Sequence, residues 1–436
     1  MPSEQKRITE KDLERNRLLV ILEGASARTI FNLTTGAFLV GLLKYMGASD
    51  TFCGYVIAIP VFAAIIQVIS PIILESLQFR KTIIIIGAMI HRVLLSALVF
   101  VPFLPLPSNT KLIIAAIVLF ISNLAVSFVN PAVSNMYVSF VPQNIRGKYF
   151  GTRESYLLLA ATLVTLALGK ILDIFTAAGN EGTGYIIVYS CIFLFTILNF
   201  SSFALMKEVP LVHTTERIKL SEIFTLPLKN KKFTRYFIML IIWNFAIQIA
   251  SAYFSVYLKS DLSMSYTVIT SLSFVNAVIY ILAARIWGRF ADKSGWSKTT
   301  MITIGILSIC HLTWFFASEG SPILMLLLII CHVTGGIAWS GINVALFNLQ
   351  FDFTPDEKRT VYIGFSAAIS GFIGYISAVF GAQLVGFFGE RLVIIFGAPY
   401  DIKQVLFLTS SILLIVCATY IGLFMRPRKN KTSLEV

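Results

Sequence analysis

Twelve stretches of this chain stay apolar for about twenty residues each, the length a helix needs to cross a hydrocarbon layer. They fall at 18–43, 52–74, 82–104, 111–138, 149–173, 185–206, 233–258, 266–287, 299–317, 322–350, 361–388 and 403–425. In lipid no water is available to satisfy backbone N–H and C=O groups, so runs of this length form helices that bond internally. Charged residues make up 13% of the chain, well below the roughly 25–35% that keeps a water-facing surface soluble. Mean hydropathy is correspondingly high at +0.82. The expected fold class is an all-α membrane protein of twelve transmembrane helices.

The chain also repeats itself. Asn130 to Gly151 returns 213 residues later as Asn343 to Gly364, and 8 of the 22 aligned positions are identical without a gap. The matches include Asn130/Asn343, Arg146/Arg359 and Tyr149/Tyr362, and both copies lie between long apolar runs. Duplication predicts two pseudo-symmetric halves of six helices each. The expected boundaries are an amino tail 1–17, a first half 18–206, a central loop 207–232, a second half 233–425 and a carboxyl tail 426–436.

Charge supplies the orientation. The two tails, the breaks after spans 2, 4, 6, 8 and 10 and the span ends adjoining them hold 27 Lys and Arg against 14 Asp and Glu, while the opposite breaks with their adjoining span ends hold 6 against 7. The bias of Lys and Arg toward the cytoplasm then places both termini there, in a multi-pass protein of the plasma membrane. Orientation and contact with lipid headgroups account for the whole net charge of +13, so a nucleic-acid partner is not expected. The first 17 residues are charged and no small-residue cleavage pattern follows the first apolar run, so span 1 is expected to act as its own insertion signal. Cys53, Cys191, Cys310, Cys331 and Cys417 all lie in apolar runs without CxxC or Cys/His spacing. They read as small buried hydrophobes, with no disulfide framework, metal site or cofactor expected.

Between spans 8 and 9 the sequence runs Gly288-Arg-Phe-Ala-Asp292-Lys293-Ser-Gly295. This GxxxDxxG pattern with an adjacent lysine resembles the signature of the major facilitator superfamily of transporters. With the twelve spans and the central loop, the resemblance covers nearly the whole chain. Gly288 is expected to let a neighbouring helix approach, Gly295 to permit a turn, and Asp292 to face the positive end of a helix dipole. The resemblance implies that this dipole belongs to span 5, near Tyr149 to Glu154, and that the contact latches the cytoplasmic side. Arg146 and Arg359, from the two copies of the repeat, are expected in the same gate. The corresponding break in the first half has Glu75 for the aspartate, Pro71 for the first glycine and Gln78 for the second, which weakens the latch expected there. In the central loop, Leu220, Ile223 and Phe224 have helical spacing, which allows either a short interfacial helix ended early by Pro227 or a solvated tether.

Polar side chains at helical spacing must face protein or water, so a polar stripe marks an inward face or a helix–helix seam. Span 4 carries Asn123, Ser127, Asn130 and Ser134; span 7 carries Asn244, Gln248, Ser251 and Ser255. Span 8 adds Ser273, Asn276 and Tyr280, span 10 adds His332, Trp339 and Asn343, and span 11 adds Ser366, Ser370 and Ser377. The resemblance implies that spans 1, 4, 7 and 10 line a central cavity flanked by 2, 5, 8 and 11. Arg28 lies about 15 Å into span 1, with Asn32 one turn on. Its planar fork suits a carboxylate, a phosphate or sugar hydroxyls, or else a structural pair with Glu23 or Glu154. The expected solute contacts are Arg28, Asn32, Asn123, Asn130, Asn244, Gln248, Asn276, Tyr280, His332, Trp339 and Asn343. His91 and Arg92, deep in span 3, are expected in a structural or coupling contact, Arg92 with Glu23. If a proton is the coupling ion, Glu154 is the first candidate to carry it and Glu23 the second.

These features point to a secondary transporter that moves a small polar organic solute, such as a sugar, glycoside or organic anion, by alternating access. The nearest alternative is an efflux pump of the same superfamily, although Leu157 to Leu172 lacks the Gly-Pro rich motif that proton-driven exporters of that kind usually carry. An alternative of another class is a membrane-embedded enzyme or a non-transporting receptor. Against an enzyme, no span holds a paired-His motif or a nucleophile beside a His and an acid.

Overall fold

A computed structural model describes residues 9–74, 77, 80–143, 145–208, 220–355, 359–395 and 397–425. The chain starts with α1 (Glu10–Leu33), α2 (Gly36–Tyr45), α3 (Asp50–Ala63) and the short α4 (Ser70–Leu74). It continues through α5 (Lys81–Ala97), α6 (Ser108–Ser139), α7 (Arg146–Ala177) and α8 (Glu181–Leu205). After α9 (Leu220–Lys229) come α10 (Lys231–Ser251), α11 (Tyr253–Val256) and a π-helical turn over Tyr257–Asp261. The last helices are α12 (Tyr266–Ser294), α13 (Trp296–Phe316), α14 (Leu324–Phe353), α15 (Arg359–Phe388) and α16 (Ile402–Phe424).

Among the described residues, eleven helical stretches are long and apolar enough to cross a membrane. The remaining expected span, 18–43, is divided between α1 and α2. The division has a local cause. The Thr34 and Thr35 hydroxyls donate back to the carbonyls of Ile30 and Phe31, both at 2.7 Å, and Gly36 then turns with φ +55°. Hydroxyls bonded in this way compete with the helix ladder, and a left-handed glycine ends it. A hairpin departs from the all-helical expectation: β1 (Val393–Ile395) pairs antiparallel with β2 (Ala398–Tyr400) ahead of α16. α9 also differs, since Pro227 lies inside it and the helix runs on to Lys229. It packs against α10 and α15.

The chain forms two compact units. One holds the described residues of Met1–Ile218 together with Ser255–Phe274, and the other holds those of Lys219–Phe254 and Val275–Val436. In the first, α1 packs on α7 and α8, and α5 on α6 and α8. Leu19, Val20, Ile84, Ala88, Met136 and Tyr137 form one of its buried clusters. A capping box of Thr9 and Asp12 starts α1, and Lys207, two residues past α8, holds the Asp12 carboxylate at 2.7 Å. That hydrogen bond, together with those from Thr9, lowers the Asp12 carboxyl to about 2.

In the second unit α13 packs against α14 and α16, and α10 against α15 and α16. Between lipid-embedded helices, association depends on close packing rather than on expulsion of water. Gly381 of α15 shows the consequence: a β-carbon there would run into the Ile249 carbonyl of α10. The turn after α12 follows the expected chemistry, with Gly295 at φ +81° between Ser294 and Trp296. Gly288 does not. Among the described residues nothing lies within 4 Å of where its β-carbon would stand.

Candidate functional site

Within the second unit, a cavity of ≈ 440 Å³ is lined by α10, α14 and α15. The periodicity of α10 places Asn244 and Gln248 one turn apart on its wall, and α14 presents Trp339 and Asn343 in the same way. Four of the sequence-predicted solute contacts therefore meet in one place. Ser366 and Ser370 line the α15 side. Asn244 Nδ2 donates to the Leu240 carbonyl at 2.8 Å and to Ser370 Oγ at 3.1 Å, which fixes the direction in which its amide oxygen can accept. Gln248 Oε1 accepts from Ser251 at 2.8 Å.

Two indoles form the apolar wall: Trp243 and Trp339 meet edge to face with ring centroids 5.9 Å apart. Gln350, also in the lining, has a buried Nε2 with no hydrogen-bond partner. An unpaired buried donor is costly, so it favours a ligand that can accept. No Asp, Glu, Lys or Arg is among the lining residues described. Trp243 and Gln350 were missed in the sequence. Trp243 adjoins the polar stripe of span 7 and could have been found there, whereas Gln350 lies two turns past Asn343 with no signal of its own.

The other predicted contacts of this unit are placed elsewhere. Asn276 donates to the His332 carbonyl at 2.9 Å, joining α12 to α14. The His332 ring turns back to the Leu328 carbonyl of its own helix at 2.7 Å, with Trp314 beside it. Tyr280 is not among the lining residues, but its hydroxyl accepts from Asn343, which is, at 3.1 Å.

In the first unit, Arg28 Nη1 lies 3.9 Å from Glu154 Oε1, with both side chains about two-fifths exposed. Asn32 is half-buried, Asn130 is exposed, and Asn123 donates to the Leu119 carbonyl of its own helix at 2.8 Å. Beneath that surface lies a buried network around Glu23. Its carboxylate meets Arg92 at 3.1 Å and Arg153 at 3.8 Å. It also accepts from the Tyr137 hydroxyl at 2.5 Å and from Asn199 at 3.1 Å. The expected Arg92–Glu23 pair is thus present, while Arg153, Tyr137 and Asn199 were not singled out in the sequence. His91 is bound separately, to Ser122 Oγ at 2.8 Å. Of the gate residues, Asp292 and Lys293 are exposed, and Arg146 donates to the Val141 carbonyl at 3.3 Å. Glu75 and the side chain of Arg359 lie outside the described residues.

Helices that cross the membrane in two duplicated sets, with an uncharged polar cavity in one unit and a buried charge network in the other, have the architecture of a membrane transporter. The chain belongs to the Major Facilitator Superfamily, whose family profile matches residues 20–349 and 236–435. Its fold is similar to that of the nucleoside transporter NupG, with a TM-score of 0.66, 96% of this chain and 100% of that one covered, and 13% identity. The xylose transporter XylE from E. coli, in an inward-open conformation, is similar to the same degree: TM-score 0.66, 96% and 97% covered, 13% identity. No curated protein matches the chain in sequence.

Proposed function

We propose that this protein is a secondary transporter of the plasma membrane, both termini cytoplasmic, that moves a small neutral polar solute of sugar, glycoside or nucleoside type by alternating access. The observation that carries the reading is the chemistry of the ≈ 440 Å³ cavity. A flat indole wall suits the apolar face of a sugar ring or a base, and amides and hydroxyls from α10, α14 and α15 supply directional hydrogen bonds to hydroxyl groups. With no charged side chain in the described lining, an organic anion is disfavoured there, and so is a lipophilic cation. The solutes named for NupG and XylE, a nucleoside and xylose, have the same chemical character. Arg28 and Glu154 are proposed as a proton-responsive pair in the other unit, and Asp292 with Lys293 and Gly295 as a gate at the end of α12.

The deciding experiment is ligand-induced thermal stabilisation of the detergent-purified protein, screened against sugars, nucleosides, small anions and lipophilic cations. A ligand selective for the native state raises apparent stability by about 2.7 kcal/mol at a hundredfold excess over Kd. Sugars or nucleosides are expected to stabilise the wild type, and Trp339→Ala to abolish the shift. Stabilisation by lipophilic cations alone would overturn the reading in favour of efflux. Turnover of a ligand without flux in proteoliposomes would overturn it in favour of an enzyme.

A further inference from the structure

α12 begins in one compact unit and ends in the other, since Ser255–Phe274 packs with the first and Val275 onward with the second. Its first turn is held by α7. Asp173 Oδ1 accepts the Tyr266 N–H at 2.8 Å, and Oδ2 accepts the Thr267 N–H at 2.6 Å. A carboxylate at this position satisfies two free donors of the helix and faces the positive end of its dipole.

Tyr266 seats the joint. Its ring is fully buried beside Phe38, with centroids 5.3 Å apart, and its hydroxyl lies 2.8 Å from that of Tyr185. Lys259 Nζ stands 3.8 Å above the ring, a cation–π contact. Gly41 of α2 completes the seat, because a β-carbon there would collide with the Tyr266 hydroxyl.

Three features make the joint releasable. The Ser265 hydroxyl already accepts from the Val268 N–H at 3.2 Å, so the helix keeps a local cap when Asp173 leaves. Asp173 is half-buried, so water can replace its partners. The chain leading into Tyr266 is also irregular: a π-helical turn over Tyr257–Asp261 is followed by Ser263 at φ +47°, the one positive-φ residue other than glycine among those described. Irregular turns of this kind collect where a backbone must switch conformation.

From this arrangement we propose that Asp173, with Tyr266 as its anchor, is a releasable latch that fastens the first turn of α12 to α7 and opens once in each transport cycle. It lies at the opposite end of α12 from Asp292. The proposal rests on the transport reading only for the cycle; the latch itself is a property of the protein without solute.

The test uses a reporter cysteine at Thr270, which is 4% exposed and lies against Gly169 of α7. Labelling of Thr270→Cys by a maleimide is followed in the purified full-length protein without solute, against the background of the native cysteines. Asp173→Ala is expected to speed it about tenfold, since it removes the two charge-assisted hydrogen bonds that fasten the helix to α7. Asp173→Asn, which keeps one acceptor, should have a smaller effect. Ala161→Cys, fully buried elsewhere on α7, is the control and should label at an unchanged rate. Equal labelling of Thr270→Cys with and without Asp173 overturns the latch, and so does a parallel rise at both cysteines. If Asp173→Ala does not fold, Tyr266→Phe, which loses only the phenol pair, takes its place with the same expectation. Faster labelling in a protein that gives no flux would leave the latch standing and count against the transport reading instead.

Discussion

Glu23 draws side chains from four helices around one carboxylate: Arg92 from α5, Tyr137 from α6, Arg153 from α7 and Asn199 from α8. Removing it strands two guanidinium groups, and Arg92 is only 8% exposed. Truncating one partner of a buried ion pair costs about 3–5 kcal/mol. Glu23→Ala is therefore expected to lower the thermal midpoint sharply, and Glu23→Gln, which keeps hydrogen bonding, to lower it less. Wild-type stability in Glu23→Ala would show that the network does not hold α1 in place. The network was only half legible. Arg92 and Glu23 stand out as charges in apolar runs, but Asn199 and Tyr137 look like any polar residue in a span until four helices converge on one point.

At the scale of elements, two glycines separate close packing from local chain geometry. Gly381 faces the Ile249 backbone, whereas Gly288, within the recognisable motif, faces open space. Gly381→Ala should force α15 away from α10 and cost about 1–3 kcal/mol. Gly288→Ala should be neutral, or stabilising by up to ~1 kcal/mol, because alanine is the better helix former. Thermal melts of the two variants check this, and equal midpoints would refute it. The same scale accounts for the first span. Its apolar run is legible, but the break at Thr34 to Gly36 depends on hydroxyls choosing their own helix carbonyls, which a hydropathy pattern does not record.

For the whole molecule, coupling and gating are the properties to measure. Glu154 is partly exposed and paired with Arg28 at 3.9 Å, so its protonation would alter a charge pair open to water. If it carries the coupling proton, transport that depends on pH in the wild type should become independent of pH in Glu154→Gln. An unchanged pH profile would remove Glu154 from that role. Asp292→Asn is expected to reduce flux several-fold and to shift the accessibility of cysteines placed on the two sides of the membrane. Normal flux with normal accessibility would remove Asp292 from the gate.

The sequence alone determined the number of crossings, the duplication and the helical class, because each follows from local runs of side chains and from the need of a backbone in lipid to bond to itself. It also determined that Asn244, Gln248, Trp339 and Asn343 share faces, since helical spacing sets faces without knowledge of neighbours. Only the tertiary structure decided which stripes line a cavity and which join helices. Asn276 and Asn343 are similar in sequence, yet one donates to a carbonyl of the adjacent helix and the other lines the open space. The difference depends on what stands opposite each side chain, and contacts between residues distant in sequence are set by how the helices pack.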